Sequence, residues 1–435
     1  MKHSTPLTPA AEAAADARAM SLLGAAVFVV SLGYGAGLPL LQLYLAQYLG
    51  AEDPQRIAWH VGMLGGVYTF ALFLFASWWG RLSDQHGRVA VLMAGFAVFL
   101  VGNAVAALAS SLGVVYGARL LAGAGAAAIM PTAQAAIADI STTMDRNRRF
   151  VLLGSASFLG FLAGPAFGTW LVGPIMRMGV EQMPGMVNWP ALVIAIGGIP
   201  ILLLTPWCLG RDRRAVDLSK ASATSVQRQR FVRASMVLAL LASFAVGTFE
   251  VGFSLFGGQT LGLTNRTMAI MFFTCGLAML AAQSMLLMGT VRQRIDHRWV
   301  AATLTASAIV LSFSSVVSGP AALGLLIAVV GTGIGLIGPV LSYELLERDG
   351  ASHGALLGRQ AAAGNLGQAL GSFSAGTLFA LHTVAPFWMA AFVLLVGACV
   401  AYTLWGKARN DDIAQRAESS SCQFIKGEHH GSRNT

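Results

Sequence analysis

SFAVGTFEVGFSLF, residues 243–256, is an apolar run interrupted by one carboxylate, Glu250. The stretch around it, 232–256, is long enough to cross the hydrocarbon of a bilayer, which takes roughly 20 helical residues for about 30 Å. An ionised side chain at that depth costs on the order of a few kcal/mol unless it is paired or faces water, so Glu250 reads as a functional residue.

The rest of the chain has the same character. Of 435 residues 56% are hydrophobic and 11% charged, and 50 glycines are spread through the apolar runs; the mean hydropathy is +0.67. About twelve stretches of spanning length follow one another between Met20 and Trp405. They cover 20–49, 58–79, 89–109, 112–138, 150–172, 187–208, 232–256, 268–290, 299–319, 321–345, 356–382 and 384–405. The expected fold is an all-α integral membrane protein.

Basic residues set the orientation, because Lys and Arg in short loops are retained on the cytoplasmic side. With the N-terminus inside, only Arg56, Arg177 and Arg266 fall on outer loops and Arg119 within the membrane, while every other Lys and Arg lies on an inner segment. Both termini are therefore expected in the cytoplasm of a cell whose inner membrane holds the chain, and no cleavable signal precedes the first span. The net charge of +9 is dispersed over these inner loops, which suits membrane retention and not nucleic-acid binding. Cys208, Cys275, Cys399 and Cys422 lie far apart, and neither a disulfide nor a metal site is expected.

One long polar stretch, 209–231, separates six spans from six. The expected organisation is a cytoplasmic tail at 1–19, a six-helix half at 20–208, the linker at 209–231, a second half at 232–405 and a tail at 406–435 whose polar composition reads as disordered. The halves resemble each other at fixed offsets. Gly123, Gly125, Pro131 and Asp139 recur 208 residues later as Gly331, Gly333, Pro339 and Glu347, and Gly160 and Gly164 recur 207 later as Gly367 and Gly371. Such repeats mark secondary transporters, whose substrate sits near the bilayer midplane between repeats.

The loop after the second span reads Gly80-Arg81-Leu82-Ser83-Asp84-Gln85-His86-Gly87-Arg88. It resembles the signature between helices 2 and 3 of the major facilitator superfamily, with Gln85 and Val89 where that family has basic residues. The resemblance implies two pseudo-symmetric six-helix halves, a tight turn made by the glycines and a cytoplasmic latch in which Asp139 partners Arg88. The loop 289–296 looks like a decayed copy with a shifted acid, to which no latch is assigned.

In the fifth span, Gly160, Gly164, Pro165 and Gly168 resemble the helix-5 motif of the family's exporters, although close helix packing asks for the same small residues. The mate of Pro165 in the eleventh span is Ser372, an asymmetry that favours export. Arg119, ahead of Gly123 and Gly125, resembles the helix-4 motif of proton-coupled members, and its mate is Ile327. Counted from Leu112 and back from Gly257, Arg119 and Glu250 each lie about 10 Å from the outer surface. They are expected to face each other, with Glu250 binding the proton and Arg119 holding it ionised until the two separate; a static pair, or an Arg119 that snorkels to the surface, is the alternative. The first span resembles that of drug/proton antiporters, and Gln42 and Tyr44 are its candidate cavity groups. Met130, Met268, Met271, Phe249, Phe253, Phe272 and Phe273 are candidates for a soft apolar wall.

None of the lysines stands in a phosphate-cradling loop and the histidines lack HExxH spacing, so neither an ATP-driven pump nor a metalloprotease is expected. The expectation is a monomeric transporter, not an enzyme, without cofactor, that exports a small amphiphilic molecule in exchange for protons. A siderophore or another cell-made metabolite is the alternative substrate, and a non-transporting sensor the alternative role. Arg119 favours an anion or zwitterion, and a lone acid with an apolar wall favours lipophilic cations.

Overall fold

A computed structural model describes residues 9–49, 53–141, 143–177, 187–209, 226–286, 296–316, 319–348 and 353–411. Lipid offers backbone groups no partner, so each crossing must satisfy its own hydrogen bonds, and the described residues form helices without a strand. The first half holds α1 (Pro9–Leu49), α2 (Pro54–His86), α3 (Arg88–Ala107), α4 (Leu112–Ile140) and α5 (Thr143–Arg177), and its sixth span is α6 (Trp189–Gly197) with α7 (Ile199–Leu209). The second half holds α8 (Val226–Leu255), α9 (Asn265–Leu286), α10 (His297–Ser312), α11 (Pro320–Gly335) with α12 (Ile337–Arg348), α13 (His353–Leu381) and α14 (Ala385–Val400).

Local chemistry sets several boundaries. Asp53, Ser111, Asn188 and Asp296 cap α2, α4, α6 and α10 by accepting a backbone N–H with their side chains. Gly87, at φ 92°, is the break between α2 and α3. The turn expected of both glycines is made by Gly87 alone, because Gly80 lies inside α2 with open space beside it.

Ten helices among the described residues are long and apolar enough to cross a membrane. The other two expected spans are present as helices. α10 has 16 residues and continues into a 3-10 turn, Phe313–Val316. α13 has 29 residues but carries Arg359, Gln360, Asn365 and Gln368, a polarity allowed by its packing between α2 and α8. α1 begins at Pro9, so part of the expected N-terminal tail is helical. The expected C-terminal tail is likewise helical at its start: a π turn, Ala401–Trp405, runs on into helix through Asp411. Arg409 anchors it there, with Nε and Nη2 donating to the buried Glu344 at 3.2 Å each. Most of the linker (210–225), the loop at 287–295 and the tail from 412, with Cys422, lie outside the described residues.

The two halves pack alike: α1 lies on α5 as α8 lies on α13, α3 on α4 as α10 on α11, and α3 on α6 as α10 on α14. The seam between halves repeats too, with α2 against α13 and α5 against α9. Glycine permits close approaches in both halves. A Cβ on Gly160 would strike the carbonyl of Phe28, and one on Gly164 the backbone of Gly35 and Ala36. In the second half, a Cβ on Gly367 would strike the carbonyl of Leu240, and one on Gly371 that of Phe244.

The seam is sealed at the end that carries the α1–α2 connection. Leu41 and Leu45 of α1 and Ile57, Ala58, Val61 and Leu64 of α2 are buried in the hydrophobic core of the second half. Gly62 and Gly376 bring the α2 and α13 backbones into contact at the same end.

Gly371→Leu is expected to destabilise the detergent-purified protein by about 1–3 kcal/mol, read as a lowered Tm. Gly154→Leu, which enters open space, is the control and should leave Tm unchanged. Equal shifts in both would mean that close backbone approach does not hold the helices.

Candidate functional site

Glu250 projects from α8 into the seam and is 8% exposed. Its Oε2 accepts hydrogen bonds from the Tyr34 hydroxyl of the first half and from Gln368 Nε2 of α13, each at 3.1 Å. Gln368 Nε2 also donates to the Tyr34 hydroxyl oxygen at 3.0 Å, closing a triangle. The Tyr34 ring is held by stacking on Tyr68 of α2, with centroids 5.2 Å apart, and on Phe161 of α5, at 5.9 Å. The carboxylate thus draws on α1 and α13 directly, and on α2 and α5 through the tyrosine.

Further hydrogen bonds tie the halves toward the sealed end. Gln42 Nε2 donates to the Ser254 carbonyl at 2.6 Å and to its Oγ at 3.2 Å. Gln259 Nε2 donates to the Pro54 carbonyl at 3.2 Å.

The expected pair of Glu250 and Arg119 is not formed. The seventh crossing does not end at Gly257 but continues as a π turn, Phe256–Thr260, which sets Glu250 about 4.5 Å deeper than the sequence count. Tyr34 and Gln368 occupy the carboxylate instead. Arg119 is partly exposed, and its guanidinium lies against Gly37 of α1, where a Cβ would strike Nη2. Tyr34 and Tyr68 are its electrostatic neighbours. Among the described residues Arg119 makes neither an ion pair nor a hydrogen bond.

At the opposite end of the first half, Arg88 joins three helices' termini. Its Nη1 meets Asp84 Oδ1 at 2.6 Å and donates to Ser83 Oγ at 3.0 Å, and its Nε meets Asp139 Oδ2 at 3.2 Å. Asp296, the shifted acid of the second loop, caps α10 by accepting from Trp299 N at 2.9 Å. The side chain of Glu347, the repeat mate of Asp139, lies outside what is described.

The helix-5 residues Gly160, Gly164 and Gly168 all face α1, and Pro165 is buried beside them. They serve close packing, as Gly367 and Gly371 do in the second half. Ser372, the mate of Pro165, lies at the α2 seam, with its Oγ buried and unpartnered.

The apolar wall is corrected in part. Phe249 and Phe253 are 5% and 0% exposed and pack with Phe272 and Phe387 in the second-half core, so neither ring is presented to a cavity. Met268, Met271 and Phe272 are buried as well, and Phe273 is exposed. Met130 is half-buried against the first-half core. Tyr44 is buried with Leu40 and Val172, its hydroxyl unpartnered, and Gln42 is taken up by Ser254. Sequence reasoning missed Tyr34 and Gln368 as a site. Gln368 had a signal, since it is an amide inside the Gly367 and Gly371 repeat where the first half has Phe161. Among the described residues no His, Cys, Asp or Glu cluster fits a metal ion.

Comparison with known proteins agrees with this architecture. The profile of the Major Facilitator Superfamily matches residues 23–348. Multidrug resistance protein 2 of Bacillus subtilis (strain 168) is 24% identical over 394 residues, covering 89% of this chain and 95% of the relative. Quinolone resistance protein NorA of Staphylococcus aureus (strain Mu50) is 23% identical over 374 residues, covering 86% and 93%. Among solved structures, a bacterial homolog of the human lysosomal transporter Spinster, inward-facing and unoccupied, aligns with a TM-score of 0.69 at 13% identity, over 94% of this chain and 99% of that one. The human organic anion transporter MFSD10 aligns with a TM-score of 0.63 at 19% identity, over 89% and 99%. Two six-helix halves with duplicated packing, a profile match over most of the chain and these relatives lead to one conclusion: this chain belongs to the Major Facilitator Superfamily.

Proposed function

We propose that this protein exports small amphiphilic, drug-like molecules in exchange for protons, by alternating access, as a monomer in the inner membrane with both termini in the cytoplasm. Efflux comes from the relatives, which are named for multidrug and quinolone resistance. Proton coupling comes from one observation: a buried carboxylate, Glu250, accepts hydrogen bonds from both halves at their seam.

With the termini inside, the sealed α1–α2 end faces outward, an arrangement that supports reading this as the outward-closed half of the cycle. Glu250, as a carboxylate, is then a charge-assisted acceptor that ties α1 to α8 and α13. When the outer end opens, Tyr34 moves away with α1, and Glu250 takes a proton from outside. On closure Tyr34 and Gln368 return as donors to the same oxygen, the proton leaves toward the cytoplasm, and the substrate loads from that side. Each turn carries protons in and substrate out. Arg88, bound to Asp84 and Asp139, holds the cytoplasmic ends of α2, α3 and α4 together in this state. The chemistry is binding and conformational change, with no covalent step and so no enzyme.

Glu250→Gln keeps an acceptor for Tyr34 but carries no titratable proton. In respiring inside-out vesicles, addition of a substrate should release protons from the lumen with wild type and not with the variant, both being inserted equally. Proton flux that persists in Glu250→Gln would remove this carboxylate from the coupling.

Gln42→Ala removes the tie next to the sealed end. A cysteine placed at Leu45, 1% exposed in the second-half core, should react several-fold faster with an impermeant maleimide added outside once Gln42 is truncated. Unchanged labelling would mean that apolar packing alone keeps the outer end shut.

A further inference from the structure

The two ionisable groups near the seam are in opposite states. The Glu250 carboxylate is buried and has two donors, whereas Arg119 is a partly exposed residue with no ion pair among the described residues. A guanidinium stays charged, and a lone cation at membrane depth is costly until a counter-charge arrives. It does not snorkel to the surface, because its tip is turned toward α1 at Gly37.

The fold itself asks for no cation here. At the matching position in the second half stands Ile327, 1% exposed and part of the core. Glycine at position 37 leaves the space that the guanidinium tip fills, since a Cβ would strike it. Tyr34 and Tyr68 are the electrostatic neighbours of Arg119, and the Tyr34 ring stacks on the buried Tyr68 and on Phe161.

From this arrangement we infer that Arg119 receives the carboxylate of the exported molecule. The substrates are then amphiphilic organic anions and zwitterions, in preference to lipophilic cations. This rests on the export reading above and names its substrate class. The planar fork of the guanidinium can hold both carboxylate oxygens, which a neutral isostere cannot reproduce.

The test is equilibrium binding to the purified full chain in nanodiscs, followed by calorimetry with no proton gradient. Three probes are compared: 1-naphthylacetate, its neutral analogue 1-naphthylacetamide, and tetraphenylphosphonium. Wild type should bind the carboxylate about tenfold or more tighter than the amide, the worth of a charge-assisted bond. Arg119→Gln should abolish that ratio and leave tetraphenylphosphonium unchanged, and Arg119→Lys should restore part of it. Gly37→Ala, which moves the guanidinium without deleting its charge, should also reduce the ratio.

A ratio unaffected by Arg119→Gln, an equal loss of all three probes, or a wild type that ignores naphthylacetate would each overturn the inference. Since binding is read without coupling, a failure of proton exchange in vesicles leaves this result readable. Conversely, proton-coupled export of tetraphenylphosphonium together with indifference to the carboxylate would refute the substrate class and keep the exporter.

Discussion

Helices in lipid gain little by hiding apolar side chains from one another, since the acyl chains are as apolar as leucine; what holds them is close contact between backbones and the few polar bonds that contact permits. In this protein glycines make several such contacts. Gly160 and Gly164 seat α5 on α1, and Gly367 and Gly371 seat α13 on α8. At the seam, Gly62 and Gly376 let α2 and α13 meet. Each of these places would be filled by a Cβ, so the spacing of the helices, and with it the position of every polar group between them, depends on the absence of a side chain at a handful of points.

The duplicated packing also shows where symmetry is abandoned. Gly35 and Gly247 occupy equivalent places against α5 and α13, as do Phe28 and Leu240, each pair 212 residues apart. By that register the counterpart of Glu250 is Leu38, and the counterpart of Gln368, at 207, is Phe161. A symmetric ancestor of this arrangement would place like against like on the seam. Here Tyr34 stands between an aromatic ring on one side and an amide with a carboxylate on the other, stacking on the first and bonding to the second. The scaffold is shared between the halves; the chemistry belongs to the differences between them.

Charge is divided by the same asymmetry. The acid is engaged by protein donors that bind one half to the other. The cation at Arg119 has been given space and aromatic neighbours but no counter-charge among the described residues.

The sequence alone determined the all-helical membrane fold, the twelve crossings, the repeat and the family resemblance, because hydropathy, basic-residue asymmetry and glycine offsets are properties of the chain read in order. It also singled out Glu250 and Arg119, since a charge inside an apolar run is visible without a structure. The pair it expected is not formed in this structure, because depth counted along one helix assumes where that helix ends, and the π turn after Leu255 sets Glu250 further inward. It read Phe249 and Phe253 as a cavity wall, because an apolar side chain looks the same whether it faces a ligand or a core. Only the tertiary structure decided that Tyr34 and Gln368 close on Glu250, for hydrogen bonds between residues 216 and 118 positions apart depend on which helix faces meet.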